Sequence, residues 1–259
     1  MRGAAGTMAL VLAQTVAGGL AFLWFTPLWN EVKRGFFKLN GAIFLVLALA
    51  TWWSTKSGLI EGDPAGEWAV RLALASLVVT AVWTVLLFAR VELVARVLGF
   101  AGVVVAIAVL VPMAITGRQA FALGLFQLLA GSAFLGSVLD GLNLGHWYLT
   151  DRGLPRGPIN RITTIMLVSV VLEAVAVISG GFGGTSSTQA VNPLLTSGAL
   201  APWIALGMTG TTALIAVLTR AALKGSRASA VQSATGFYYL AVVTAFTAEL
   251  AVKTRFLPS

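Results

Sequence analysis

Polar side chains gather near the end of one long apolar segment, in the run Ser137–Tyr148. A neutral imidazole can hydrogen-bond a quinone carbonyl and titrates near physiological pH. A buried carboxyl can pass protons, and aromatic side chains can pack against a planar ring. At about 100° per residue of helix, three of these residues share one face and His146 lies beside Asn143. We therefore predict a quinone or proton site formed by Asp140, Asn143, His146, Trp147 and Tyr148.

Glu173 extends this prediction into the next apolar segment. Consecutive membrane helices run antiparallel, so Asp140 and Glu173 are candidates for one polar route, because ionisable groups at such depth must face protein, water or a partner. A structural interpretation stays open beside it. In that interpretation Asp140 and Asn143 bind neighbouring helices, and the run 146–148 anchors the helix end at the membrane interface.

Three further polar positions are predicted to be structural. Glu249 has Lys253 four residues later, the spacing of an ion pair on one helix face. Gln14 and Gln127 are uncharged and are expected to hold neighbouring helices together. No residue in this group is assigned to the site.

The segments that carry these residues are long, apolar and nearly free of charge. Of 259 residues, 58% are hydrophobic and 10% charged, and an apolar helix of about 20 residues crosses a bilayer. The chain is therefore predicted to be an all-α, polytopic membrane bundle forming one integral membrane domain over residues 1–259. Eight helices are expected, near residues 7–28, 37–54, 67–90, 94–116, 119–149, 160–180, 199–220 and 232–252. The first resembles a signal peptide but is longer than an apolar signal core, so we expect it to be retained.

Basic residues predict how the helices are oriented. Loops after the first, third, fifth and seventh helices hold eleven of the 17 Lys and Arg residues, and the opposite side holds six. By the positive-inside rule, both termini lie outside and the chain spans the plasma or inner membrane of the cell. The net charge of +8 follows these loops, so the expected surroundings are a lipid bilayer, with no nucleic acid.

Composition also limits the cofactors. Cysteine is absent and His146 is the single histidine. These counts exclude thiolate-ligated clusters, covalent haem attachment, bis-histidine haem and multi-histidine metal sites on this chain alone. We expect no metal site and no covalent cofactor, with quinone and lipid as candidate ligands.

Two features concern organisation and partners. No internal repeat is evident, which weighs against the inverted-repeat transporters. The uncharged segment 180–201 is rich in glycine and hydroxyl side chains, and we expect another subunit to cover it, because ordering glycine-rich backbone is entropically costly.

The run Gln14-Thr-Val-Ala-Gly-Gly19 in the first helix resembles the opening of the membrane-anchor subunit of dimethyl-sulfoxide-reductase-type enzymes. The resemblance covers these six residues and the topology. It implies eight helices with both ends outside, no haem, and binding of a quinol. No site residue is transferred from it.

The favoured function is an integral membrane subunit of a larger electron-transfer or energy-transducing complex, such as a respiratory chain. It would act as anchor or scaffold for other membrane or peripheral subunits, and line a quinone or proton site. The alternative is a small transporter or channel with Asp140 and Glu173 on its pathway. Whether the chain itself is an enzyme stays open.

Overall fold

A computed structural model describes residues 1–25, 28–151, 153–182, 200–225 and 229–257. Eight helices in this part of the chain are long and apolar enough to cross a membrane, and the described residues contain no strand. The predicted all-α membrane bundle is thereby confirmed. The helices are α1 (Gly3–Phe25), the short α2 (Leu28–Glu31), α3 (Arg34–Ser57), α4 (Pro64–Ala89), α5 (Glu92–Ile115), α6 (Phe121–Thr150), α7 (Gly157–Ser179), α8 (Leu200–Leu223) and α9 (Ser229–Lys253).

Local sequence explains several helix ends. Pro64 occupies the first turn of α4, where its missing N–H removes no intrahelical bond. Arg90 ends the same helix in the left-handed conformation, with φ of 64°, and so allows the very short turn to α5.

Most of the helices begin or end within about three residues of the predicted bounds. The segment 180–201, predicted to be covered by a partner, lies largely outside the described residues.

The long helices pack in two rings of four. In the first ring α1, α3, α4 and α5 contact one another in cyclic order, and in the second α6, α7, α8 and α9 do the same. Corresponding helices run in the same direction, because an even number of crossings separates each pair. The rings join mainly through α1 and α6, with α5 and α9 beside them.

The sequence carries a matching repeat. Leu12-Ala-Gln-Thr-Val-Ala-Gly18 in α1 corresponds to Leu125-Phe-Gln-Leu-Leu-Ala-Gly131 in α6. Gly-Phe pairs in α5 and α9 are each followed nineteen residues later by an arginine, Arg118 or Arg255. The expectation of no internal repeat did not include this structural repeat, in which the two rings share their order of helix contacts. The repeat is parallel, related by an axis along the membrane normal rather than by inversion, so a search for inverted halves does not detect it.

Glycine lets the two rings approach closely. A Cβ on Gly18 would lie 1.7 Å from the carbonyl oxygen of Ser132, and one on Gly136 would lie 2.3 Å from the carbonyl carbon of Gly18. Such contacts are typical of membrane helices, where small residues allow backbones to meet. The α1–α6 contact is therefore the centre of the bundle, and α1 is its most buried helix.

The two ends of the bundle differ in charge. We call the end that holds Met1 and Leu257 the terminal end, and the opposite end the basic end. Ion pairs at the basic end join neighbouring segments: Lys33 to Asp151 at 3.0 Å, and Arg161 to Glu31. These pairs connect α2 and the start of α3 to the end of α6 and to the second turn of α7, and so tie the first ring to the second.

The orientation of the bundle stays a prediction that labelling can check. Because the chain contains no cysteine, single cysteines can be introduced at Ser57 on the terminal end and Thr150 on the basic end. Both positions are exposed. We expect an impermeant thiol reagent applied to intact cells to label Ser57→Cys and to spare Thr150→Cys until the membrane is permeabilised. The reverse pattern would place the termini inside.

Candidate functional site

Five polar side chains from four helices meet toward the terminal end. They come from both rings and are each at most 4% exposed. We call them the polar cluster: Gln14 of α1, Gln127 of α6, Glu173 of α7, and Glu249 and Lys253 of α9. Since three of the five are ionisable and lie within predicted membrane spans, their burial marks a functional candidate.

An ion pair forms the centre of the polar cluster. Lys253 Nζ lies 3.2 Å from Glu249 Oε2, with the two side chains 2% and 0% exposed. The predicted pairing of these residues is confirmed, although the pair lies in the bundle interior rather than at the membrane surface. Glu173 is the electrostatic neighbour of both residues. Two carboxyl groups therefore share one ammonium group.

The two glutamines connect the cluster to the helix backbones. Gln14 Nε2 donates to the carbonyl of Leu128 at 3.2 Å, and Gln127 Nε2 donates to the carbonyl of Ala176 at 3.1 Å. Lys253 Nζ in turn donates to the carbonyl of Gln127 at 3.3 Å. The expectation that the glutamines hold helices together is confirmed, since each bridges two of them.

Gly131 provides the space in which the cluster forms. A Cβ at this position would lie 1.9 Å from Gln14 Nε2 and 2.3 Å from Glu249 Oε1. Any larger residue would displace one of these groups. Gly18, the counterpart of Gly131 in α1, allows two helix backbones to meet. Gly131 instead makes room for polar side chains.

Several acceptors of the cluster are left without a hydrogen-bond donor among the described residues. They are Gln14 Oε1, Glu173 Oε2 and Glu249 Oε1, all inaccessible to solvent, while Glu249 Oε2 faces the Lys253 ammonium. Buried acceptors usually have a partner, and the ionised cluster would carry one more negative than positive charge. The arrangement therefore suits an additional proton or cation.

A partly open cavity of about 130 Å³ adjoins the cluster at the terminal end. Gln127 and Lys253 line it together with Arg118 and Arg255. Burial, together with the positive charge of Arg118, lowers the pKa of the Arg255 guanidinium from its ordinary value. The cavity thus links the buried carboxyl groups, through Lys253, to a basic opening at the bundle end.

Asp140 and Asn143 face the bundle interior, as predicted. Asn143 donates to Asn40 Oδ1 of α3 at 2.8 Å, and Asn40 donates to the carbonyl of Phe36 at 2.9 Å. Asp140 is 1% exposed, and neither of its carboxyl oxygens has a hydrogen-bond partner among the described residues. Asn143 therefore joins two helices, while Asp140 is an isolated buried carboxyl.

The three aromatic residues of the predicted site have separate neighbours. His146 Nε2 pairs with the hydroxyl of Tyr239 on the outer face of α9. Trp147 packs edge-on against Phe36, with ring centroids 6.1 Å apart. Tyr148 donates to the carbonyl of Pro155 at 2.5 Å. The structure thus places Asp140 inside the bundle and His146 near its surface.

Asp140 and Glu173 lie at different depths. Glu173 is six residues from the terminal end of α7, about 9 Å along the axis at 1.5 Å per residue. The polar cluster lies level with Gly131, nine residues before Asp140 on α6, which is about 13 Å. The Tyr238 ring, whose hydroxyl pairs with Thr163, lies against Gly141 and therefore at the depth of Asp140, not between the two carboxyl groups.

Comparison of the two rings distinguishes the ion pair of the polar cluster from its counterparts in the sequence. When the Gly-Phe pairs of α5 and α9 are aligned, Glu249 corresponds to Pro112 and Lys253 to Thr116. The ion pair is therefore specific to the second half and is not required by the repeated helix packing. Without this comparison, the i, i+4 spacing of Glu249 and Lys253 is explained as an ordinary ion pair on one helix face.

No protein-family model, curated protein or solved structure matches this chain. The geometry of the buried polar groups is therefore the basis on which a function can be proposed.

Proposed function

We propose that this chain is the membrane subunit of a larger energy-transducing complex, and that Glu173, Glu249 and Lys253 form a proton-transfer site. Protons would enter from the terminal end of the bundle through the cavity lined by Lys253 and Gln127. The observation that carries this proposal is the burial of two carboxyl groups around a single ammonium group.

Charge balance favours a proton as the transferred species. Two ionised carboxylates and Lys253 would leave an uncompensated negative charge in a region where isolated charges are costly. One proton shared between Glu173 and Glu249 makes the cluster neutral. A group of this kind can take up and release a proton when a neighbouring charge changes, because coupled groups titrate together.

The composition supports a role within a complex. The chain has no cysteine and one histidine, so thiolate-ligated clusters and bis-histidine haem would have to come from partner subunits. The resemblance of the first helix to quinol-binding membrane anchors favours the same role. A quinone site around Asp140, Asn143, His146, Trp147 and Tyr148 remains part of the proposal. Its members have separate neighbours, so the proton site has the stronger geometric support.

A small proton-coupled transporter is the second candidate. Parallel repeats related along the membrane normal occur in transporter folds, and their sites lie at the interface between the repeats. Gln14 belongs to the first ring and Glu249 to the second, so the polar cluster occupies that kind of interface. In this alternative Glu173 and Asp140 would lie on the pathway.

Substitution of the carboxyl groups tests the proton-transfer site. In the natively purified complex, we expect Glu173→Gln and Glu249→Gln each to cut proton-coupled turnover by about a hundredfold, the usual contribution of a positioned acid or base. The infrared carbonyl band of a protonated carboxyl should be lost in the same variants. Glu67→Gln, an exposed carboxyl at the terminal end, is the matched control and should change neither measurement.

Native mass measurement separates the two candidates. Redox subunits that co-purify stably with the chain support the complex, and a lone protomer that accumulates a solute supports the transporter. Wild-type turnover and an unchanged carbonyl band in both glutamine variants would contradict a proton site in the cluster. Asp140→Asn extends the test, because loss of turnover there at unchanged assembly would place the deeper carboxyl on the route.

A further inference from the structure

A second cavity, of about 120 Å³, lies at the basic end of the bundle and belongs entirely to the first ring and α2. We call it the basic-end cavity. Two guanidinium groups and one carboxylate line it, from Arg34, Arg96 and Glu92, together with the indole of Trp29. Its position and charge differ from those of the polar cluster, and the proton-transfer proposal does not use it.

Arg34 has one hydrogen-bond donor group without a partner among the described residues. Its Nε donates to the carbonyl of Leu87 at 2.9 Å, and its Nη1 lies 3.5 Å from Glu92 Oε1. Its Nη2 is buried and has no hydrogen-bond partner among the described residues. The contact with Glu92 is loose and the Glu92 side chain is 71% exposed, so this carboxylate neutralises Arg34 only weakly.

Aromatic packing fixes a further donor in the cavity wall. Trp29 stacks on Phe37 with ring centroids 4.0 Å apart, and Trp24 lies 4.8 Å away on a tilted plane. The Trp29 Nε1 is buried and unpartnered within the described residues. Arg96 lies over the same indole ring, 5.8 Å from its centroid. Two guanidinium groups and the indole of Trp29 therefore line one cavity, and aromatic packing fixes the position of that indole.

We propose that the basic-end cavity binds the phosphate of an anionic phospholipid headgroup. Planar guanidinium groups pair well with phosphate oxygens, and basic pockets between membrane helices on the cytoplasmic side are suited to anionic headgroups. The cavity has room for a small anionic group and not for a whole lipid, so the acyl chains must lie outside it.

The neighbouring surface of α5 favours a lipid over a soluble phosphate compound. Around Glu92 and Arg96, the side chains of Leu93, Val94 and Val97 are 76%, 50% and 66% exposed. Exposed apolar residues within a membrane helix face acyl chains. A ligand reaching Arg34 and Arg96 from this side arrives from the bilayer, with its chains beside Leu93 and Val97.

Native mass spectrometry of the full-length chain, titrated with phosphatidylglycerol or phosphatidylcholine, tests the proposal. We expect Arg96→Gln to weaken phosphatidylglycerol binding about fivefold and Arg34→Gln/Arg96→Gln about thirtyfold, at the strength usual for a basic residue beside an anionic lipid. Glu92→Gln should strengthen it about fivefold, because it removes the one carboxylate of the cavity. The Glu92→Gln variant keeps Arg34, so its result is informative even if variants that lack Arg34 do not fold.

The matched control removes two basic residues from the same end in the second ring, Arg220→Gln/Lys224→Gln, and should leave binding unchanged. Equal weakening in this control, unchanged binding in Glu92→Gln, or equal affinity for phosphatidylcholine would overturn the proposal. Inorganic phosphate should fail to displace the lipid at millimolar concentration. If inorganic phosphate displaced the lipid, the occupant would be a soluble phosphate compound and the proposal of a lipid ligand would be wrong.

Discussion

Replacing Lys253 with methionine is expected to destabilise the bundle by about 4 kcal/mol, the cost of leaving a buried ion-pair partner uncompensated. Lys253 is the one cation in the polar cluster, and Glu249 and Glu173 both interact with it. Methionine preserves most of the side-chain volume, so the effect reports the charge. Unfolding in mixed micelles, followed by tryptophan fluorescence, measures the change.

A double-substitution cycle distinguishes loss of the charge from loss of packing. Glu249→Gln/Lys253→Met removes both partners, and we expect it to recover at least half of the lost free energy of unfolding. Lys56→Met, at an exposed lysine on the same end, should change stability by less than about 0.5 kcal/mol. If Lys253→Met unfolded with the wild-type midpoint, the cluster would not be an electrostatically coupled unit.

The second large effect is expected from Gly136→Ala at the contact between the two rings. The added methyl group would lie 2.3 Å from the carbonyl carbon of Gly18 and 2.6 Å from the amide nitrogen of Gly19. Both neighbours are backbone atoms, so α1 must move as a whole. We expect a loss of about 3 kcal/mol in the free energy of unfolding, at the upper end of overpacking costs.

Gly210→Ala is the matched control for this change. Gly210 lies within α8, and a Cβ there would have no neighbour within 4 Å among the described residues. The same substitution should therefore be neutral or stabilise by up to about 1 kcal/mol through helix propensity. Equal effects of Gly136→Ala and Gly210→Ala on the denaturation midpoint would show that the α1–α6 contact does not determine stability.

Much of the fold follows from the sequence because a bilayer permits few solutions. Apolar length alone located all eight helices, and residues such as Pro64 marked their ends. What the sequence pattern did not reveal was how the helices associate. Helix contacts in lipid depend on small residues rather than on an apolar stripe, so Gly18 and Gly136 carried no periodic signal. The parallel repeat was missed for a different reason, because the halves were compared as inverted repeats.

The candidate site was predicted less completely than the fold. Burial of Asp140 and Glu173 follows from charge within apolar segments, and Glu249 with Lys253 was recognised as a pair. Their association with Glu173 and Gln14 joins residues far apart in the chain, and it depends on helix order that spacing does not encode. For His146, the residue type alone suggested a role in the site. The structure places this side chain beside Tyr239 near the bundle surface, away from the polar cluster.

The unequal halves of the repeat have a consequence for how such a chain can evolve. Duplication supplies two copies of one scaffold, and only one of them has to retain any given ancestral feature. Here one ring has Pro112 and Thr116 at the aligned positions, while the other has the buried ion pair of Glu249 and Lys253. A chain built from two such rings can therefore hold buried charge in one ring while both keep the same order of helix contacts.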